Sequence, residues 1–350
     1  MIYAALLFGI FFAVASITVL GREEKDFWNV GIFVLLVVVL FIMAGWRPIG
    51  IDGDSNTYLV YYNTDERDLV EPSFIFIKDL AKNFFGSPRA MFVMYALLSV
   101  PIKAWGITRM TKLWYLSVLI WLSNFYMIHD INQIRVSVGL AIFFVSLPFL
   151  VKGERWKYLM LILLACCFHI TCVVLLPLVL LSNKPLGRKW KAVLYILPLL
   201  GYLLAALNID PITYLQLPYV QDKLDIYISL RDNGILENDV INLFNPAYLL
   251  RIVAYYFLLW KYETLKQHTD TLPLLLKIFA ISIISFTMLS FMPILSYRIG
   301  DMFGCVEILL FPYLVYTVRP LFAGQVVVIL FATFKLLLGV FSRGNLNLNS

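Results

Sequence analysis

Residues 157–182 read KYLMLILLACCFHITCVVLLPLVLLS, and how this stretch is crossed decides the topology of the whole chain. It is apolar along nearly all its length, with His169 at its middle. One membrane-spanning helix takes about 20 residues, so the run is long for a single crossing. Taken as one span, it sets Lys152, Arg155 and Lys157 opposite Lys184, Arg188, Lys189 and Lys191. That arrangement opposes the tendency of Lys and Arg to collect in cytoplasmic loops. Taken as two half-helices meeting near His169, it returns both basic clusters to one side. A broken, re-entrant helix pair is therefore expected at 157–182, with a single span as the alternative.

The rest of the chain agrees that the solvent is a bilayer. Of 350 residues, 61% are hydrophobic and 14% charged, with a mean hydropathy of +0.84. Soluble domains average about 45–50% apolar and 25% charged residues, and disordered chains are far more polar. Neither a GxGxxG nor a GxxxxGK[ST] motif is present, so a nucleotide-binding domain is not indicated. The four cysteines, Cys166, Cys167, Cys172 and Cys305, all lie in apolar stretches. They read as small hydrophobes, not as a disulfide framework.

The expected fold is an all-α polytopic membrane protein, a single integral membrane domain over 1–350. About ten spans are expected, near 2–20, 28–45, 90–107, 113–128, 133–151, 189–207, 246–262, 272–292, 302–318 and 321–341. Ile2–Leu20 lacks a basic leader and a clear cleavage site, so it reads as a first span and not a removed signal. With the hairpin in place, Arg22, Lys25, Lys103, Arg109, Lys112, Lys152, Arg155, Lys157, Lys184, Arg188, Lys189, Lys191, Lys261, Lys266 and Arg319 fall on the cytoplasmic side. The formal charge of +6 is then a topology signal, and no nucleic-acid partner is expected. Both termini come out external. Two long external loops result, 46–88 and 208–245. Within the first, the apolar spacing of Glu71–Phe85 suggests an amphipathic helix at the interface. Cytoplasmic loops are short, so function is expected on the external face.

Several arginines share one setting, the external start of a helix running inward. Asn132-Gln133-Ile134-Arg135, Asn245-Pro246 followed by Arg251, and Ser296-Tyr297-Arg298 ahead of Asp301 all fit it. A helix start offers free N–H groups and a positive dipole end. An arginine there adds a fork matched to phosphate oxygens. The combination points to a polyanion, with a lipid diphosphate the natural candidate at that depth. For any one arginine, snorkelling to headgroups is the plain alternative.

His169 is an ionisable group at membrane depth, a functional candidate that can act as a general base. A core histidine is the alternative, and a metal site lacks the paired ligand spacing zinc requires; no metal or cofactor is expected. His129-Asp130 reads either as a solvated loop or as a sugar-contacting pair. The run Arg47 to Tyr58, with Gly50, Asp52, Gly53 and Asp54, combines turn glycines, carboxylates and hydroxyls. Carbohydrate contact fits it at least as well as calcium, since the EF-hand pattern is incomplete.

At these residues the chain resembles the EpsG/Wzy-type polysaccharide polymerases of bacterial envelopes. Arg47 followed by Gly53-Asp54 and Tyr58, with Glu71 and Phe74 further on, is similar to that family's first external loop. Gln133-Ile134-Arg135 with Gly139-Leu140-Ala141 is similar to its central helix start. Ala165, Phe168 and His169-Ile170-Thr171 are similar to its histidine segment. Val136 stands where the family often has Gln, and Ile170-Thr171 where it often has Lys-Ser.

The resemblance implies a membrane glycosyltransferase in a bacterial inner membrane, with its active site facing the periplasm or exterior. A growing glycan on undecaprenyl diphosphate would be the donor, and the terminal hydroxyl of another lipid-linked repeat unit the acceptor. Membrane lipids and a chain-length regulator protein are the further partners implied. Arg135 and Arg298 would stabilise the leaving diphosphate, with His169 as first choice of base and Asp54 as second. Arg47, Arg251, Tyr58, Asp130, Gln133 and Asp301 would orient sugar or phosphate. A lipid-linked oligosaccharide flippase and a membrane acyltransferase are the rival classes. A flippase often shows internal repeats, and none is evident between the halves of this chain.

Overall fold

The computed structural model describes residues 2–20, 27–64, 71–207 and 241–342, with isolated positions 209 and 229. All regular structure among the described residues is helical. Seven helices are long and apolar enough to cross a bilayer: Ile2–Leu20, Phe27–Gly45, Pro88–Met110, Ile134–Val151, Arg188–Ala206, Pro293–Thr317 and Leu321–Phe341. The chain is a multi-pass membrane protein.

Three of the ten expected spans take other forms. The segment expected at 113–128 is a short helix, Trp114–Ile120, that widens over Trp121–Asn132. The spans expected at 246–262 and 272–292 are the shorter helices Pro246–Trp260 and Leu272–Met288. The latter ends at Met288, and after a short turn Met292 and Pro293 open the next helix. The span expected from 302 accordingly begins nine residues earlier, at Pro293, so Arg298 and Asp301 lie inside it instead of ahead of it. Most of the external loop expected at 208–245 lies outside the described residues, as do Arg22 and Lys25.

The chain divides into two compact units. The first comprises 1–183, 263–271 and 308–350; the second comprises 184–262 and 272–307. In the first unit the helices are labelled α1 (Ile2–Leu20), α2 (Phe27–Gly45), α3 (Ser55–Asn63), α4 (Pro72–Leu80), α5 (Pro88–Met110), α6 (Trp114–Ile120), α7 (Ile134–Val151) and α8 (Arg155–Phe168). The first loop is thus itself helical in part. Ser87 caps α5 by accepting from the Arg89 N–H, with Pro88 at the first helical position, the two features that start a helix most readily.

Helices α5 and α7 run parallel. Lys103 reaches Ser137, and Gly106 leaves room for Phe144, whose Cβ would stand 2.7 Å from a Cβ at position 106. By that register Ile134 is level with Ala96, roughly 12 Å along the axis from Pro88 at about 1.5 Å per residue. The N-terminus of α7 therefore starts deep. Helices α3 and α4 fill the recess above it, pinned by rings: Phe74 lies 6.0 Å from Tyr58 and 6.2 Å from Tyr95, and Tyr58 lies 6.2 Å from Phe92. Such pairs add about 0.5–1.5 kcal/mol each beyond their buried area.

At His169 the chain doubles back. Helix α8 ends there with an extended backbone, φ −155° and ψ 122°, and a 3₁₀ segment follows over Ile170–Leu180. The Tyr158 hydroxyl donates to the Leu175 carbonyl at 2.7 Å, both groups buried. In a continuous helix those residues would stand about 25 Å apart. Gly139 of α7 lies beneath the bend, where a Cβ would meet Cys172 Sγ at 2.4 Å.

The second unit contains α9 (Arg188–Ala206), α10 (Pro246–Trp260), α11 (Leu272–Met288) and α12 (Pro293–Gly304). Asn245 caps α10 by accepting from the Tyr248 N–H at 2.9 Å. Gly201 of α9 leaves room for Thr287 of α11, whose Oγ1 would be 2.1 Å from a Cβ there. The last helix of the first unit is α13 (Leu321–Leu337).

Candidate functional site

Three segments of the first unit meet at one carboxylate. Glu71 precedes α4, and Pro72 occupies the first position of that helix. The Glu71 side chain makes no capping bond to its own helix, so its carboxylate is spent elsewhere. Oε2 lies 2.5 Å from Nη1 of Arg135, in the first turn of α7. Oε1 lies 2.6 Å from Nδ1 of His169, at the bend. The Ile170 N–H, opening the 3₁₀ segment, also donates to Oε1 at 3.4 Å. A loop, a recessed helix start and a helix break thus converge on one anionic group.

The electrostatics are those of a site built around negative charge. Burial pushes the Glu71 carboxyl up, but the His169 hydrogen bond and the Arg135 charge outweigh it and hold the group at about 2. The Arg135 guanidinium lies 5.6 Å over the Tyr58 ring and 5.5 Å over Phe74, both within cation–π range. Burial pushes the Tyr58 hydroxyl up to about 12, more than the charge of Arg135 pulls it down. The three side chains keep partial access: 13% for Glu71, 18% for Arg135 and 12% for His169. An ion pair meant only to lock a fold has no need of such access.

A second layer holds this arrangement from the loop side. Arg47 donates from Nε to Asp52 at 2.9 Å and from Nη1 to the Ala44 carbonyl at the end of α2, and its guanidinium lies 4.5 Å over Phe92. Asp52 Oδ1 accepts from the Asp54 and Ser55 N–H groups, closing the turn that starts α3. Of the two loop aspartates, Asp52 is thus buried in an ion pair and Asp54 is half-buried. The Asp54 N–H also donates to Asn132 Oδ1 at 2.9 Å, tying the loop to the turn before α7. Gln133, half-buried, ends that turn; its carbonyl accepts from the Ser137 N–H.

Asp130 lies beneath. Its carboxylate accepts from Lys103 Nζ at 2.8 and 2.7 Å, from Ser137 Oγ at 2.5 Å and from Trp121 Nε1 at 2.8 Å. Lys103, which the charge pattern alone assigns to a cytoplasmic loop or span end, is buried inside α5, where Asp130 neutralises it. His129 is likewise buried, stacked 5.3 Å from Phe125.

The remaining expected residues lie in the second unit. Arg251 is buried, with Nε 2.7 Å from Glu307 Oε2 and Nη1 3.4 Å from Asp301 Oδ1. Its guanidinium lies 5.4 Å over both Tyr248 and Phe279. Arg298 is exposed on α12. The structure therefore brings Arg135, His169 and Tyr58 together, and separately pairs Arg251 with Asp301. Glu71, quoted from the sequence only as part of a loop pattern, is the group that joins the first set. Among the described residues no group of three His, Cys, Asp or Glu is placed to hold a metal ion.

A family model described as EpsG family matches residues 30–348. No match was found among curated proteins or among solved structures. The matched range takes in every residue of the Glu71 site.

Proposed function

The chain belongs to the EpsG family, a polysaccharide biosynthesis family, and we propose that it is a membrane glycosyltransferase that polymerises lipid-linked oligosaccharides at its external face. The donor is a growing glycan on undecaprenyl diphosphate. The acceptor is the terminal hydroxyl of another lipid-linked repeat unit. The observation that carries this reading is the convergence of Arg135, His169 and the Ile170 N–H on a single anion, the Glu71 carboxylate, with the three side chains partly exposed.

The reaction breaks the bond between the anomeric carbon and the diphosphate oxygen and forms one to the acceptor oxygen. The acceptor proton passes to a base, and the diphosphate leaves with the bonding electron pair. Charge develops on the leaving group, so fixed positive groups aimed at it stabilise the transition state more than the ground state. Arg135, in the first turn of α7, suits that task. His169 is the base in this reading. Arg47 with Asp52, Asp130 with Lys103, and Arg251 with Asp301 and Glu307 hold their own segments in place, while Tyr58 under the Arg135 guanidinium and the half-buried Asp54 and Gln133 are the residues this reading assigns to the sugar.

The test supplies purified protein with its lipid-linked repeat unit in excess chelator, and resolves the glycans on a gel. A ladder that survives chelation and vanishes in Arg135→Ala is the expected result. No ladder from well-folded protein on authentic substrate overturns the polymerase reading and directs attention to transport. A ladder that requires a divalent metal retains the enzyme and overturns the metal-free chemistry.

A further inference from the structure

The Glu71 carboxylate bridges two groups to which the proposed reaction gives separate tasks. Its two oxygens are divided between them, Oε1 to His169 Nδ1 at 2.6 Å and Oε2 to Arg135 Nη1 at 2.5 Å. Imidazole is useful as a base only if the nitrogen facing the substrate lacks its proton, and the partner of the other nitrogen sets that. A carboxylate can only accept, so a neutral His169 facing Glu71 through Nδ1 must carry its proton on Nδ1. The lone pair is then on Nε2. The same carboxylate fixes the Arg135 fork, so base and cation are held at a set spacing by one side chain.

Three features separate this from a mere loop anchor. Glu71 does not cap its own helix. Loop anchoring is already supplied by Arg47 with Asp52 and by Asp54 with Asn132. The sealed pair Lys103–Asp130, at 1% and 0% side-chain exposure, shows what a purely internal ion pair looks like in this unit, and the Glu71 cluster is more open.

We propose that Glu71 is a positioning residue that holds the His169 proton on Nδ1, presents Nε2 to the acceptor hydroxyl, and orients Arg135 from its other oxygen. This rests on the reading of His169 as the base.

The chain has three histidines, so ¹⁵N-histidine labelling gives a spectrum simple enough to assign by difference against His169→Gln. At about pH 8.5, well above the ordinary imidazole range, the wild-type protein should show His169 with Nδ1 protonated and Nε2 bare. In Glu71→Gln the ring should lose that single form and show a mixture. Turnover per folded molecule in Glu71→Gln should fall on the order of 100-fold or more, with the donor KM changed less than about threefold. Glu71→Asp should recover part of kcat.

A wild-type His169 carrying its proton on Nε2 overturns the proposal, and this requires no variant to fold. So does a Glu71→Gln protein with unchanged tautomer and unchanged kcat. If the wild-type protein makes no ladder at all, the polymerase reading fails by itself, and the labelling still decides whether Glu71 sets the ring.

Discussion

Lys103 and Asp130, 27 residues apart in sequence, meet at 2.7 Å with side chains 1% and 0% exposed. Breaking a buried pair leaves an uncompensated charge, which costs about 3–5 kcal/mol. Asp130→Ala should therefore lower the thermal midpoint in detergent strongly. Replacing both members with apolar residues of similar volume should recover most of the loss, because the desolvation cost disappears with the charges. Equal stability of Asp130→Ala and wild type would show that the pair does not form.

Hydropathy could not have disclosed that pair. A lysine near the inward end of a span counts as a loop charge, and nothing local in sequence reveals a carboxylate opposite it. The spans themselves were legible because Ile2–Leu20 or Ile134–Val151 satisfies the bilayer's length and polarity requirements alone. The bend at His169 was legible for a related reason: a largely apolar stretch of 26 residues with basic groups at both ends does not suit one crossing. Arg135 and His169 were legible as polar groups in apolar surroundings, and Tyr58 as the end of a loop of turn glycines, carboxylates and hydroxyls. Their meeting point was not, since Glu71 lies 64 residues from Arg135 and 98 from His169, and only the deep start of α7 brings the loop down to them.

The bend rests on the small residue beneath it. Gly139→Ala would place a Cβ 2.4 Å from Cys172 Sγ, forcing the 3₁₀ segment away from α7. Overpacking of this kind costs about 1–3 kcal/mol, and it would also move His169, three residues from Cys172. Gly139→Ala should thus lose both stability and polymerising activity. Adding Cys172→Ala should restore much of each, since the obstructing sulfur is gone. If the double variant is no better than the single one, α7 and the bend are not packed through this contact.

In the second unit Arg251 is the group whose role most needs a test. Its nearest carboxylate, Glu307, has a side-chain exposure of 0%. If the pair holds the frame, Glu307→Gln strips the closest neutralising charge from a buried guanidinium and should cost about 3 kcal/mol or more. Gly304→Ala should do similar harm, because its Cβ would stand 2.1 Å from Arg251 Nη2. Thermal unfolding read beside glycan ladders separates the roles. A Glu307→Gln protein of normal stability but altered donor KM would place Arg251 at the substrate instead.

The Glu71 cluster makes a prediction about acid stability whose sign can be worked out. The carboxyl sits at about 2 in the folded protein against an ordinary value of 4.5. A depressed folded value means that the ionised form is favoured by folding, so the stabilisation is complete above the ordinary value. It is lost as pH falls from about 4.5 towards 2. Glu71→Gln cannot titrate, so its stability deficit relative to wild type should shrink as pH falls through that acid window. Other carboxylates titrate there too, and the difference between the two proteins removes their common part. Thermal midpoints in detergent, taken in steps of pH on both proteins, give the curve. Two curves that fall in parallel would mean that Arg135 and His169 do not hold the Glu71 charge.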